Sequence, residues 1–409
     1  MTSITNNTRD KELALQQTQL YWLLQITKAI NYNLPASQLY EIYQKVVFEH
    51  LNFGRLSLIV KGDIWNEQVA FGLTVPTQSD ELVHLIERIN LFDDASSKLP
   101  DWMRQFETFI PVLHNEVPIA YAFVGGISDS VFDNKREATS YLHTITNVIS
   151  VAIENKRMAK ESLVQAAVQR ELQLAAEMQA MLFPQDLNLH GFMDVSATYI
   201  PHHQVGGDYY DFIQLNQDEA IICMADVSGK GVSAALLMSN FQANLHALVK
   251  NNQSLKEIVL ELNSCVNKSA KGEKFITFFI GKVNKTTREI EYINAGHHPP
   301  MLISDKDVVI LDSGTTGLGM FDELPFLKTG KVHFSAGSIL FLYTDGITEM
   351  ENTDGVALGE SKLKTMLQDQ LAVDSMEQLH KNLQVEFELF RENVEYNDDV
   401  TFLSCRLLY

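Results

Sequence analysis

From Asp10 to Asn33 apolar residues recur at helical spacing, through Leu13, Leu20, Leu23, Leu24, Ile26 and Ile30, and Ala36 to Leu51 repeats the pattern. The chain is therefore predicted to open on helices. Short apolar runs follow, Leu56-Ser57-Leu58-Ile59-Val60 and Phe109-Ile110-Pro111-Val112-Leu113, then the polar His114-Asn115-Glu116 and a further run from Ile119 to Val124. These read as strands, with a hairpin turn at Asn115. A helical pattern resumes near Lys135, and the order helix, strands, helix predicts an α+β domain ending near Asn155.

Val151 to Phe183 contains no Gly or Pro, and Val164, Val168, Leu172, Ala175, Met178 and Leu182 recur three and four residues apart or at multiples of that spacing. This predicts a continuous amphipathic helix. Such a helix either packs on its own domain or pairs with a second copy as a coiled coil, although Gln and Ala dilute the heptads. Pro184 stops it. Short strands punctuated by Gly, Asn and Asp then place a boundary near Gln185. The predicted organisation is a domain over 1–155, a helical linker over 156–184 and a second domain over 185–409, in keeping with the 409-residue length.

Composition narrows the function by exclusion. Hydrophobic residues are 45% and charged residues 21% of the chain, as in folded globular domains. The 32 basic and 52 acidic side chains leave a formal net charge of −20, which repels phosphate backbones and anionic membranes. Nucleic acid is not an expected partner. Cys223, Cys265 and Cys405 are dispersed, without the CxxC spacing of a zinc or redox site, and fit a reducing cytosol. No signal-peptide core and no apolar stretch of membrane-spanning length occurs, so a cytoplasmic protein without membrane insertion is expected.

The candidate chemistry lies in the second half, where acidic residues abut segments that read as strands. Asp208 follows Gly206-Gly207 and precedes Tyr209 to Ile213. Asp226 ends the apolar run Ala220 to Ala225, Asp345 follows Ile339 to Tyr343, and Asp398-Asp399 precede Val400 to Arg406. Carboxylates gathered at converging strand ends repel one another when desolvated, and a hard divalent cation with oxygen ligands relieves that repulsion. Mg²⁺ or Mn²⁺ is expected. Zinc is disfavoured, because His202, His203, His297 and His298 form no HxxxH or HExxH pattern. Taken singly, each Asp could equally be a turn or helix-cap residue. No GxSxG elbow, P-loop or reactive-cysteine signature points to covalent catalysis or nucleotide hydrolysis, and Lys230 in Gly229-Lys230-Gly231 reads as positional.

Five ordered segments carry a resemblance: Val205 to Asp211, Asp226-Val227-Ser228-Gly229-Lys230-Gly231, Asn294-Ala295-Gly296-His297, Tyr343 to Glu349 and Asp398-Asp399-Val400-Thr401. With the helix end Ala176 to Pro184, they resemble the SpoIIE/RsbU branch of the protein phosphatase 2C superfamily. The resemblance implies an α-β-β-α sandwich holding two Mn²⁺ or Mg²⁺ ions and hydrolysing phosphoserine or phosphothreonine on a protein. It implies that Asp226, Asp345 and Asp398 hold one metal, that Asp226 and the Val227 carbonyl hold the other, and that Asp208 completes the cluster directly or through water. Asp399 is the alternative to Asp398. The nucleophile is then a metal-activated water and the substrate an anti-sigma-factor antagonist. His202-His203-Gln204 and His298 depart from the usual pattern, which bears on substrate contacts rather than on metal binding.

The elements before Asn155 resemble a GAF sensory domain, which implies an unidentified small ligand and control of the phosphatase through the helical linker, with a homodimer formed there. An α+β dimerisation module without a ligand is the other reading. For the second half, the alternative to an enzyme is a catalytically silent interaction module. A two-metal phosphodiesterase or nuclease conflicts with the acidic charge and lacks a basic groove.

Overall fold

The computed structural model describes residues 2–62, 64–77, 100–127, 135–184, 187, 193–305 and 307–408. It divides into two compact units, Met1–Ala166 and Ala167–Tyr409.

The first unit opens with α1 (Thr2–Asn31) and α2 (Ala36–Lys45), whose end widens into a π turn over Val46–His50. The strands β1 (Phe53–Lys61), β2 (Trp65–Phe71), β3 (Thr108–His114) and β4 (Val117–Ile127) form an antiparallel sheet in the order β2-β1-β4-β3. The expected hairpin joins β3 to β4, with Asn115 at φ 49° and Glu116 at φ 66°. Positive φ at both turn residues suits the strand twist of a two-residue hairpin. Alternation along β4 separates two cores. Ala120, Ala122 and Val124 pack with Ile26, Leu39, Tyr43 and Ile145 of the helices, whereas Tyr121 and Phe123 meet Ile59, Trp102 and Met103 on the other face.

The helical segments expected from Lys135 and from Val151 are one 46-residue helix, α3 (Lys135–Ala180), since no Gly or Pro interrupts it. The division between the units falls within α3, at Ala166/Ala167. The boundary expected near Gln185 lies outside the described residues.

In chain order the second unit contains β5 (Met193–Ile200), β6 (Tyr209–Gln214), β7 (Glu219–Val227), α4 (Val232–Lys250), α5 (Leu255–Ala270), β8 (Ile276–Asn284) and β9 (Glu289–Ala295). Then come β10 (Met301–Ile303), β11 (Val308–Ile310), β12 (Gly314–Thr315), β13 (Gly330–His333), β14 (Ile339–Tyr343), α6 (Asp345–Thr348), α7 (Gly359–Asp369), α8 (Met376–Arg391) and β15 (Val400–Leu407). One sheet runs β11-β10-β14-β15-β5; the other runs β12-β9-β8-β7-β6, with β13 also paired to β9.

The side chains of β14 show how the layers are built. Leu340 and Leu342 enter the core shared with Ile222, Met224 and Phe279 of the second sheet, while Ile339, Phe341 and Tyr343 pack with Leu363, Leu379, Leu383 and Phe387 of α7 and α8. A strand buried on both faces needs apolar residues at every position, and Ile-Leu-Phe-Leu-Tyr supplies them. Full burial of each such side chain contributes roughly 1.5–3 kcal/mol. Met238, Phe241, Ile258 and Leu262 of α4 and α5 cover the other sheet. The result is an α-β-β-α sandwich. Among the described residues, no helix is long and apolar enough to cross a membrane.

Candidate metal and catalytic site

Tyr209 at the start of β6 pairs with Ala225 near the end of β7, so Asp208 and Asp226 stand one step further on, at the same sheet edge. In the facing sheet, Tyr343 at the end of β14 pairs with Phe402, and Thr344 N–H donates to Thr401 O at 3.0 Å. Asp345 and Asp398-Asp399 flank this second pair of strand ends. The strands thus converge as expected, and they bring every predicted acidic residue to one end of the sandwich.

Asp208 is 2% exposed and is held from the opposite sheet. Its Oδ2 accepts from Thr344 Oγ1 at 2.9 Å and from Thr401 Oγ1, while Thr401 N–H donates to Thr344 Oγ1 at 3.1 Å. Burial, then the charges of Asp226 and Asp399, raise the Asp208 carboxyl well above its ordinary range, and the two hydroxyl donors oppose that rise. Burial, with Asp345, Asp398 and Asp399, pushes Asp226 up to about 7. The neighbouring Asp208 side chain opposes part of the rise at Asp226. Asp345 is raised by burial and by Asp398, against the opposing fields of His298 and Lys230. Mutual repulsion of this kind is what a bound cation relieves.

The neighbouring aspartates near the chain end have different surroundings. Asp399 is committed to the backbone: Oδ1 accepts from His202 N–H at 2.8 Å and Oδ2 from Gly207 N–H at 2.9 Å. Asp398 is more open, with Oδ2 at 3.0 Å from Lys230 Nζ. Lys230 also donates to Asn397 O at 2.5 Å. The Val227 carbonyl faces Gly207 so closely that a Cβ there would lie 2.8 Å from its oxygen. Among the described residues, no group of three or more His, Cys, Asp or Glu side chains forms a ready-made ligand shell. The donor set is nonetheless all oxygen, which fits a hard divalent ion rather than zinc.

Residues 216–408 match the SpoIIE family, stage II sporulation protein E. Phosphoserine phosphatase RsbU of Bacillus subtilis (strain 168) is 27% identical over 245 residues, 59% of this chain and 72% of that protein. Phosphoserine phosphatase RsbP of the same organism is 25% identical over 185 residues, 44% of this chain, and the match spans only 45% of RsbP. Among solved structures, the SiaA-PP2C domain of Pseudomonas aeruginosa superposes with a TM-score of 0.53 at 20% identity, covering 60% of this chain and 98% of that domain. Over residues 216–408 the second unit is similar to SpoIIE-type phosphatases, and its fold is that of a PP2C domain.

Two threonines lie within the sequence motifs, where nothing in the sequence gives them a role. Thr344 and Thr401 stand beside the acidic positions in sequence, but their convergence on Asp208 spans 136 and 193 residues and has no local signature. Gln179, 6% exposed near the end of α3, likewise has no sequence signal that marks it as buried. His202 takes part through its backbone, and its ring packs at a tilt against His203 with centroids 4.3 Å apart. His298 Nδ1 lies 3.8 Å from Glu360.

Proposed function

We propose that the chain is a metal-dependent protein serine/threonine phosphatase whose substrate is a phosphorylated protein. The observation that carries this reading is the convergence of Asp208, Asp226, Asp345 and Asp398 from two sheets into a cluster where three carboxyls are raised by burial and by one another. Asp226, Asp345 and Asp398 are proposed to hold one Mn²⁺ or Mg²⁺, and Asp226 with the Val227 carbonyl to hold a second. Bound there, the ions would lower the pKa of a water and screen the phosphoryl oxygens.

The chain's own groups divide the remaining tasks. Asp208, anchored by Thr344 and Thr401, faces the cluster from a fixed direction. Asp399 spends both oxygens on backbone N–H groups, which supports Asp398 as the ligand and Asp399 as the organiser of the loop before Asp208. Lys230 places an ammonium beside Asp398, where it offsets part of the negative field.

The names of RsbU and RsbP support a phosphoserine substrate, and an anti-sigma-factor antagonist is proposed as the protein that bears it. For the first unit we propose a GAF-like sensor over 1–155, acting through the helix over 156–184 on the phosphatase over 185–409. Exposed Leu163, Val164, Val168, Leu174 and Met178 on α3 support homodimerisation along that helix. The deciding experiment measures phosphate release from an aryl phosphate, then from phosphoproteins, with Mn²⁺, with Mg²⁺ and after chelation. Metal-dependent release from phosphoserine is expected. No release under any of these conditions would remove the enzymatic reading.

A further inference from the structure

Glutamine is seldom buried unless its amide is fully engaged. Gln179, in the last turn of α3, is 6% exposed, and its carboxamide engages both backbone groups of one residue. Nε2 donates to Gly206 O at 2.8 Å, and Oε1 accepts from Gly206 N–H at 3.2 Å. This is the exchange that a neighbouring strand would make, delivered here by a side chain.

Gly206 fits the grip because it has no side chain; a Cβ would collide with the Asp399 carboxylate and the Tyr199 hydroxyl. The next residue, Gly207, gives its N–H to Asp399 Oδ2, and the next is Asp208. The backbone leading into the acidic cluster is therefore clamped by Gln179 at one residue and by Asp399 at the following one. The same end of α3 makes further contacts with this stretch. Gln204 Nε2 donates to Gln169 Oε1 at 2.8 Å, and the Phe183 ring, just past α3, lies 4.9 Å from Tyr210 and 5.0 Å from Tyr199.

We infer that Gln179 is a positioning residue for the phosphatase site, aiming Asp208 by holding the Gly206 backbone from the end of α3. Its kinetic consequence rests on the proposed phosphatase activity; its structural consequence does not. Each residue of an α-helix advances about 1.5 Å, so a one-residue shift of this segment takes the amide out of hydrogen-bonding range. The clasp therefore exists in one register of the helix end, and the site is assembled only in that register. Neither close relative of the side chain replaces it. Ionised glutamate, the form to be compared at pH 8 or above, offers no donor to Gly206 O, and methionine has a similar reach with neither polar partner.

The test compares the full-length parent with Gln179→Met and Gln179→Glu. Amide hydrogen exchange is read at residues 206–208, Mn²⁺ binding by calorimetry, and kcat and KM with an aryl phosphate. For Gln179→Met, exchange at Gly206 and Gly207 should accelerate about tenfold or more, as expected when a local opening becomes easier. Mn²⁺ affinity should weaken by about tenfold and kcat fall by a similar factor, with KM within about twofold, as for misplacement of a reacting centre rather than lost binding. Gln179→Glu should behave likewise. Exchange and Mn²⁺ affinity within about twofold of the parent in folded variants would overturn the inference. If Gln179→Met proves too unstable to measure, the same readouts on Gln179→Glu decide. A parent inactive on every phosphate ester removes the proposed activity, and hydrogen exchange still judges the clasp.

Discussion

Thr344 Oγ1 lies 2.9 Å from Asp208 Oδ2, across the space between the two sheets of the sandwich. The same hydroxyl receives the Thr401 N–H at 3.1 Å, so one side chain serves a buried carboxyl and a backbone donor of β15. Thr344→Val keeps the shape and removes both bonds. A loss of about 2–3 kcal/mol in urea unfolding is expected, since hydrogen bonds to charged groups are the stronger class and a buried carboxyl loses a donor. Thr344→Ser should recover most of it. Equal stability of the Val and Ser variants would show that the hydroxyl does not anchor Asp208.

Asp226 gives a prediction of the opposite sign. Its carboxyl rises from 3.8 to about 7 on folding, so between these values the folded chain holds a proton that the unfolded chain lacks. Stability therefore falls as pH rises through that window, and the loss is complete above it. With metal chelated at pH 8, Asp226→Asn should be more stable than the parent, on the order of 2 kcal/mol, while metal-dependent turnover disappears. Full turnover in this variant would falsify the proposed mechanism.

Much of this site was legible in the sequence because each acidic residue sits next to a strand whose pattern is strong. Ile339 to Tyr343 was predicted as a strand and is β14 with the same bounds. Asp226 was placed at the end of a buried run and lies one residue before the end of β7. Such readings need only the local alternation of side chains and the turn residues that end it. What stayed hidden depends on long-range register. Asp399 reaches Gly207 across 192 residues, and Gln179 reaches Gly206 from a helix whose apolar spacing points instead to dimerisation. An isolated Gln on a polar helix carries no mark of burial until the loop that covers it is known.

The adjacent aspartates should separate in experiment. Asp399→Ala leaves the N–H groups of His202 and Gly207 without their carboxylate, and a loss of about 3 kcal/mol is expected for two charge-assisted bonds. Asp398→Ala removes a half-exposed partner of Lys230, and its effect on folding should stay within about 1 kcal/mol. Its effect on Mn²⁺ binding should be much larger, with calorimetric heat lost at concentrations that saturate the parent. The reverse pattern, a stable Asp399→Ala that no longer binds Mn²⁺ beside a fully binding Asp398→Ala, would exchange the two assignments.

On the outer face of the β5-containing sheet, His380 of α8 ties two strands together. Nδ1 pairs with Thr198 Oγ1 at 2.7 Å and Nε2 with Ser404 Oγ at 2.8 Å, and the ring stacks on Phe402 with centroids 4.3 Å apart. Burial drops its pKa from 6.5 to about 3, so the folded chain keeps this imidazole neutral in a range where the unfolded chain protonates it. The unfolded state then binds the extra proton, and stability must fall as pH drops below about 6.5. At about 1.4 kcal/mol per pH unit, the contribution lost by pH 5 is roughly 2 kcal/mol. His380→Gln keeps an amide donor and acceptor but cannot titrate. Urea unfolding of parent and variant at pH 7, 6 and 5 should show the parent losing about 2 kcal/mol more than the variant over this range. Parallel pH dependences would mean that His380 protonates without resisting the fold, and that the strand ties do not require its neutral form.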